Sequence, residues 1–491
     1  MSVIRTTRSL CPVCLKQISA DLVSRDDKMF MVKTCPDHGP FEDLYYGDAA
    51  LYQRLMKELT GGEEINQPLA VDLGETTRQS APVKNPFGTP GIGIIDVTNR
   101  CNLDCTVCFA SCNSARDVYE PPAETIYAMM DTLLQGDNPC PIILFSGGEP
   151  TIRKDFLDLC RMAKKKGFKF IIVATNGKRL AAEPDYHRQL AEAEVDIIYL
   201  QFDGVTSEPY IALRGIDLLA TKLQALDNIS NSPVDYPVTV LVPTIAKGIN
   251  DHQIGDIVRF ASNNINIIKG VLFQPVGFVG HIKNKDILAK RITNADAIQS
   301  LSVSFNNSIS KDDFYPLVWI RDFLEAFKRI HKRTDIVDLK VHPACFTVSY
   351  FVKHNDQLIS LNRLLNLEEL RNFVNNLKTG SKTEIAAELF KSLPKIIRKD
   401  TYKMSSKLIK IMSEIFLEGS EKAIINFHED NVLLVGFEHS SDPYNYDCEK
   451  IDRCCIHYST PDGKTVPFCS YNVFNRKELE TTFSKKNFKS N

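Results

Sequence analysis

The chain has 491 residues, which at roughly 150 residues per domain allows about three domains and a large buried core. Apolar residues make up 43% and charged residues 24%, the ordinary globular range, which excludes a disordered, collagen-like or disulfide-miniprotein chain. With 59 Lys and Arg against 61 Asp and Glu the net charge is −2, so no global field points to nucleic acid.

No apolar run of about 18 residues and no charged start before an apolar core is found, so a cytoplasmic chain without a membrane span is expected. The cytosol keeps thiols reduced, so the 14 cysteines read as metal ligands rather than disulfides.

Residues 1–60 carry Cys11-Pro-Val-Cys14 and Cys35-Pro-Asp-His38-Gly39. Two knuckles of the form Cys-Pro-x-ligand aim four side chains at one point, as a tetrahedral ion requires. Rubredoxin has cysteine in the fourth position, so His38 leaves mononuclear iron and zinc both open. Four protein ligands close the shell, which points to a structural or electron-relaying role. Residues 61–90, with Gly61-Gly62, Pro68 and Pro82 to Pro90, read as a linker.

From 91 to 285, β-branched runs at 91–97, 142–145, 168–175, 196–202, 238–242 and 270–274 alternate with helical patterns. Such alternation predicts an α/β fold, a parallel sheet covered by helices, open or curled into a barrel. Residues 286–425 read as helical, for example at 361–377 and 402–417. Residues 426–491 offer a strand at 431–437, then Cys448, Cys454, Cys455, His457 and Cys469, and read as an auxiliary iron-sulfur region.

Cys101-Asn-Leu-Asp-Cys105-Thr-Val-Cys108-Phe109 directly follows the first strand of the alternating region. Three cysteines at this spacing suit three irons of a 4Fe-4S cube and leave the fourth iron open. The run resembles the CxxxCxxC signature of the radical S-adenosylmethionine (SAM) superfamily, and the resemblance covers about residues 91–280. It implies a partial (β/α)6 TIM-like barrel with ligands at the C-terminal strand ends. Cys101, Cys105 and Cys108 would then be the catalytic cluster ligands, with SAM as cofactor and a ferredoxin or flavodoxin as electron donor. Ser146-Gly147-Gly148-Glu149-Pro150 resembles the GGE motif that meets the methionine ammonium. The resemblance further implies that Asn176 faces the adenosine, that Gln201 and Asp203 contact the ribose, and that Arg214 holds the ligand carboxylate.

Cys345, in His342-Pro-Ala-Cys345, joins Cys448, Cys454, Cys455 and Cys469, with Cys112 or Cys140 as further members. They suffice for one auxiliary 4Fe-4S cluster and nearly for two; a second full set needs an open iron or a non-cysteine ligand, for which His342 and His457 are candidates. Cys160 falls within a helical apolar pattern and reads as core. The spacing departs from the usual SPASM pattern.

The metal knuckle, the barrel and the C-terminal cysteines together are similar to the tetraether lipid synthase group. Its members join the terminal methyl carbons of archaeal lipid chains, and some were earlier assigned as pterin methyltransferases. The resemblance implies carbon-carbon coupling of lipid alkyl chains, with the C-terminal cysteines taking part in the chemistry. Lys391, Lys395, Arg398, Lys399, Lys403, Lys407 and Lys410, interleaved with Leu393, Ile396, Ile397, Leu408, Ile409 and Ile411, form a basic amphipathic stretch. It suits peripheral contact with an anionic membrane at its inner face, or a solvated helix face, and Pro394 is expected to interrupt it. The alternatives are a radical methyltransferase of a pterin-type coenzyme, a peptide-modifying maturase, and an iron-sulfur carrier with a degenerate site. The intact triad, Gly147-Gly148-Glu149 and Arg214 argue against the last.

Overall fold

Nine-residue runs with alternating burial open the chain and fold on themselves as hairpins. The computed structural model describes residues 2–58, 90–113, 117–136, 138–283, 285–288, 290–333, 336, 339–398, 413, 417 and 431–484. Strands β1 (Ser2–Leu10), β2 (Gln17–Arg25), β3 (Lys28–Cys35) and β4 (Gly39–Tyr46) form an antiparallel sheet in that order. The helix Ala49–Met56 follows, with the Asp48 side chain accepting from Leu51 N as its cap. Met29, Met31, Tyr45, Tyr46 and Leu51 enter the same apolar core as the central strands, so the knuckle sheet is packed onto the rest.

The centre consists of β5 (Ile92–Thr98), β6 (Val107–Cys108), β7 (Ile142–Gly147), β8 (Phe170–Thr175), β9 (Ile197–Gln201), β10 (Val238–Val242), β11 (Thr244–Ile245) and β12 (Ile268–Pro275). Further on come β13 (His281–Ile282), β14 (Tyr315–Pro316), β15 (Phe346–His354), β16 (Gln357–Ser360), β17 (Val432–Glu438), β18 (Ile456–Ser459) and β19 (Thr465–Pro467). The large sheet runs β14-β15-β17-β12-β10-β9-β8-β7-β5-β18-β19, and from β17 to β18 every pairing is parallel. Six of those strands are the ones the alternation predicts. They read as continuous apolar runs because neighbouring helices cover the outer face and the inner face lines an apolar-walled interior.

The C-terminal region is woven into this barrel. β17 pairs with β12 from Gly270↔Leu434 to Phe273↔Phe437, and β18 pairs with β5 from Ile456↔Ile92 to Tyr458↔Ile94. It therefore supplies both outer strands of the parallel set, and the segment that joins them carries Cys448, Cys454 and Cys455.

The stretch read as helical holds the helices Asn294–Ser304, Arg321–His331, Leu367–Asn376 and Lys382–Ile396, but also β15, which pairs antiparallel with β17. The predicted helix at 361–377 breaks at Leu365, which bridges to Ile397, and Asn366 caps the second half by accepting from Glu369 N. Pro394 does not end its helix, which continues to Ile396. Proline there removes the backbone donor to Phe390 O and crowds that carbonyl, and only two residues of helix follow it. The linker at 61–89, the pattern at 402–417 and Lys399, Lys403, Lys407 and Lys410 lie outside the described residues, Ser413 and Leu417 apart. Among the described residues no helix is long and apolar enough to cross a membrane.

Candidate active site and metal centres

The triad loop leaves β5 at its C-terminal end. Asn99 ties its stem by donating from Nδ2 to Asp117 O (3.1 Å) and accepting from Tyr119 N (3.0 Å). Asn113, in the left-handed region at φ 61°, closes the loop by accepting from Cys101 N and donating to Cys101 O and Leu103 O. Its other flank is a two-stranded ribbon of β6 with β13, in which His281 Nε2 lies 2.9 Å from Cys105 O. Gly280 must be glycine there: a Cβ would stand 2.2 Å from Cys108 O.

Cys101, Cys105 and Cys108 are half-buried and line one cavity. Burial, with Glu149 and the other thiols as neighbours, pushes the Cys101 thiol up to about 12. Cys108 is pulled down to about 5, chiefly by a hydrogen bond from the Cys112 thiol.

Gly147 and Gly148 carry the next strand end against this loop. A Cβ on Gly148 would meet Arg100 O at 2.0 Å, and Gly148 N and Glu149 N donate to Thr98 O and Arg100 O. Glu149 is buried and accepts from Thr151 N, Thr151 Oγ1, Thr175 Oγ1 and Asn176 N, which locks the ends of β7 and β8 together. Asn176 Nδ2 donates to Asn102 Oδ1 (2.6 Å) and lies 4.0 Å from Cys101 Sγ.

Arg214 forms a two-point pair with Asp203 at 2.6 and 2.7 Å and donates to Thr244 Oγ1. Burial works against its charge and Asp203 more than offsets this, so its pKa is raised. The sequence reading gave Arg214 and Asp203 separately to a ligand; here they satisfy each other at the wall of the cavity. Gln201 donates to Asp203, and Lys222 donates to Gln201 Oε1 (2.7 Å) and to Asn176 O. Lys222 was missed, although it falls among Leu219, Ala225, Leu226 and Ile229 on the inward stripe of its helix, where a lone cation needs a reason.

The cavity has a volume of about 620 Å3, within the usual range for ligand sites. It spans the height of the barrel, from the triad, Glu149 and Gln201 at the C-terminal strand ends to Gly91, Pro141 and Phe170 at the N-terminal ends. Val242, Leu272, Val348 and Leu434 make its middle apolar. Glu438 projects into it, accepting from Gln274 Nε2 (3.1 Å) and Ser440 Oγ (3.3 Å), and burial raises its pKa.

In the knuckle, the ligand atoms of Cys11, Cys14, Cys35 and His38 lie within 4.8 Å of one another, with Cys35 Sγ 3.5 Å from His38 Nδ1. Three thiolates and an imidazole converging this closely suit one tetrahedral ion. Burial raises the Cys11 thiol, but N–H groups of Cys14 and Val13 outweigh it and bring it to about 7. Among the described residues no other set of three or more is so tight. A 4Fe-4S cube spreads its thiolates over separate irons, so the looser triad fits a cluster rather than a single ion.

Cys455 and Cys469 line the main cavity, and Cys345, Cys454, Cys455 and Cys469 are electrostatic neighbours whose thiols are all raised by burial first. Cys448 packs with Leu10 and Cys469, beside the knuckle. Cys112 stays at the triad, donating to Gly147 O, and Cys140 donates to Ile142 O. Cys160 is core, as read. His342 is buried, with Nδ1 accepting from Ala344 N and Nε2 without a hydrogen-bond partner among the described residues. His457 is buried at the edge of β18.

Two protein families match the chain: the radical SAM superfamily over residues 95–261 and the HMPTM N-terminal zinc ribbon domain over residues 3–47. The chain is 37% identical over 493 residues to 7,8-dihydro-6-hydroxymethylpterin dimethyltransferase of Methanocaldococcus jannaschii, an alignment covering 98% of this chain and 96% of that one. It is 34% identical over 122 residues to Fe-coproporphyrin III synthase of Methanosarcina barkeri, covering 24% and 29% of the two chains. Among solved structures, Streptococcus suis SuiB bound to S-adenosylmethionine superposes with a TM-score of 0.36 at 19% identity, covering 44% of this chain and 47% of that one.

Proposed function

Because this chain belongs to the radical SAM superfamily, we propose that it is a radical methyltransferase of a pterin-type coenzyme, with Cys101, Cys105 and Cys108 holding the catalytic 4Fe-4S cluster. The observation that carries this reading is the end-to-end likeness to a pterin dimethyltransferase, which favours methyl transfer over the lipid coupling expected from sequence. Cluster and SAM, once bound, supply a 5'-deoxyadenosyl radical that takes hydrogen from unactivated carbon.

The chain's own residues orient that chemistry. Gly147 and Gly148 let the backbone approach closely, Glu149 fixes two strand ends, and the Lys222–Gln201–Asp203–Arg214 chain forms the shelf for the nucleoside. Glu438 and Gln274, paired at the C-terminal ends of β17 and β12, offer polar partners to a pterin edge. The knuckle set takes one ion, and the zinc ribbon match favours zinc. Cys345, Cys448, Cys454, Cys455 and Cys469 supply ligands for an auxiliary cluster facing the same cavity.

Lipid alkyl coupling stays as the second reading on one observation, the apolar wall running the height of the barrel. An alkyl chain needs only such a wall, whereas a pterin needs polar partners for its donors and acceptors. The test is anaerobic turnover of reconstituted enzyme with reductant, SAM and either the dihydropterin or a diether phospholipid, followed by mass spectrometry. Pterin that gains methyl groups is the expected result. Unchanged pterin, with lipid that loses two hydrogens per new bond, would reverse the order of the two readings.

A further inference from the structure

Among the described residues the carboxylates that line the main cavity are Glu149 and Glu438, and they are used differently. Glu149 is filled by donors from Thr151, Thr175 and Asn176. Glu438 accepts only from Gln274 Nε2 (3.1 Å) and Ser440 Oγ (3.3 Å), and no cation pairs with it among the described residues. Lys450, whose field reaches it, is spent on His439 O and Ser441 Oγ. An ionised carboxylate has roughly four acceptor positions, so Glu438 keeps acceptor capacity unused. Burial outweighs the bonds it has and raises its pKa, as for a carboxylate short of donors.

Gln274 complements it. A side-chain amide carries a pair of N–H groups, and one goes to Glu438 Oε2, which leaves the other for a ligand. The two side chains sit at the C-terminal ends of the paired strands β12 and β17, the barrel end that also carries the triad, Glu149 and Gln201. Side by side they present a donor and then acceptors to the cavity, with Leu272 and Val242 as apolar wall for a ring.

We propose that Gln274 and Glu438 are the specificity-determining clamp for the aminopyrimidinone edge of the pterin: the Gln274 amide donates to the ring carbonyl, and the Glu438 carboxylate accepts from the adjacent ring N–H and the exocyclic amino group. That edge reads acceptor, donor, donor, the complement of what the pair offers. Paired hydrogen bonds to a carboxylate are of the strong, charge-assisted kind. A site built to accept from an N–H rejects the analogue that lacks it, because its own polar group is then left unpaired. The inference rests on the pterin reading and adds which edge faces the β12–β17 wall and which substituent is discriminated. No bond forms or breaks in this recognition.

The probes are 7,8-dihydro-6-hydroxymethylpterin and its lumazine counterpart, in which a carbonyl replaces the exocyclic amino group. Binding to reconstituted enzyme with SAM and no reductant is read by anaerobic equilibrium dialysis. Wild type should hold the pterin about a hundredfold tighter than the lumazine. Glu438→Gln should invert that preference, since its amide accepts from the ring N–H and donates to the new carbonyl. Gln274→Met should weaken both ligands about tenfold and keep the wild-type ratio, because both carry the ring carbonyl. If Glu438→Gln binds neither ligand, the ratios in wild type and Gln274→Met decide on their own. A wild type without preference, or Glu438→Gln with the wild-type preference, would overturn the clamp while pterin methylation, measured alongside, still stands. A wild type that neither binds nor methylates the pterin would remove the pterin reading and the clamp with it.

Discussion

Lys222 sits with no solvent exposure against Gln201 and Asn176, and burial pulls its ammonium down to about 7, with Asp203 opposing. Between that value and the ordinary lysine value near 10.5 the unfolded chain holds a proton that the folded protein has released. Where the unfolded state binds more protons, stability rises with pH. The stability of wild type relative to Lys222→Met should therefore increase from pH 7 to pH 9, by at most about 1.4 kcal/mol per unit. Denaturant midpoints of the two proteins at each pH give the difference, and a constant difference would place the proton elsewhere. The same variant frees the Gln201 amide and should weaken SAM binding at every pH.

Strands β1, β3 and β4 of the knuckle reach the C-terminal region through side chains that no sequence pattern announces. Arg5 and Asp447 pair at 1% and 0% exposure, and Tyr45 Oη and Thr7 Oγ1 each donate to Asp447 at 2.8 Å. Arg5 thereby holds the Asp447 carboxyl well below its usual range, against the cost of burial. Lys33 donates to Pro443 O and Tyr444 O, and Arg291 joins Asp442. The element that holds one metal set is thus bolted to the segment that carries the other cysteines. Removing one partner of a buried pair leaves a charge uncompensated, so Arg5→Ala should cost about 3 kcal/mol or more. A loss below about 1 kcal/mol in urea unfolding would show that the joint is held without the pair.

At the scale of the molecule, six parallel strands, the triad and the knuckle were legible because each is a local signal: a β-branched run, or cysteines within a few residues. The outer strands β17 and β18 were not placed, since pairing across some 160 to 360 residues, as between Gly270 and Leu434 or Ile92 and Ile456, leaves no periodic trace. β15 was read as part of a helical region although Phe346–His354 is rich in β-branched and aromatic residues, because helix-forming sequence surrounds it. At the site, Gly147, Gly148, Glu149, Asn176, Gln201 and Arg214 line one cavity with the triad, but their side-chain partners were hidden from the sequence. Whether Arg214 faces a ligand or Asp203, and whether Glu149 is free or accepts four bonds, depends on side-chain geometry. Lys222, Asn113, Gly280 and Glu438 act through contacts far along the chain.

The central proposal is that SAM is cleaved at the triad. The most direct measurement is 5'-deoxyadenosine released from SAM under anaerobic reducing conditions by reconstituted wild type and by Cys105→Ala. Wild type should release it and Cys105→Ala should release none, while His38→Ala should mainly lose the knuckle ion. Release of 5'-deoxyadenosine by Cys105→Ala would contradict the account.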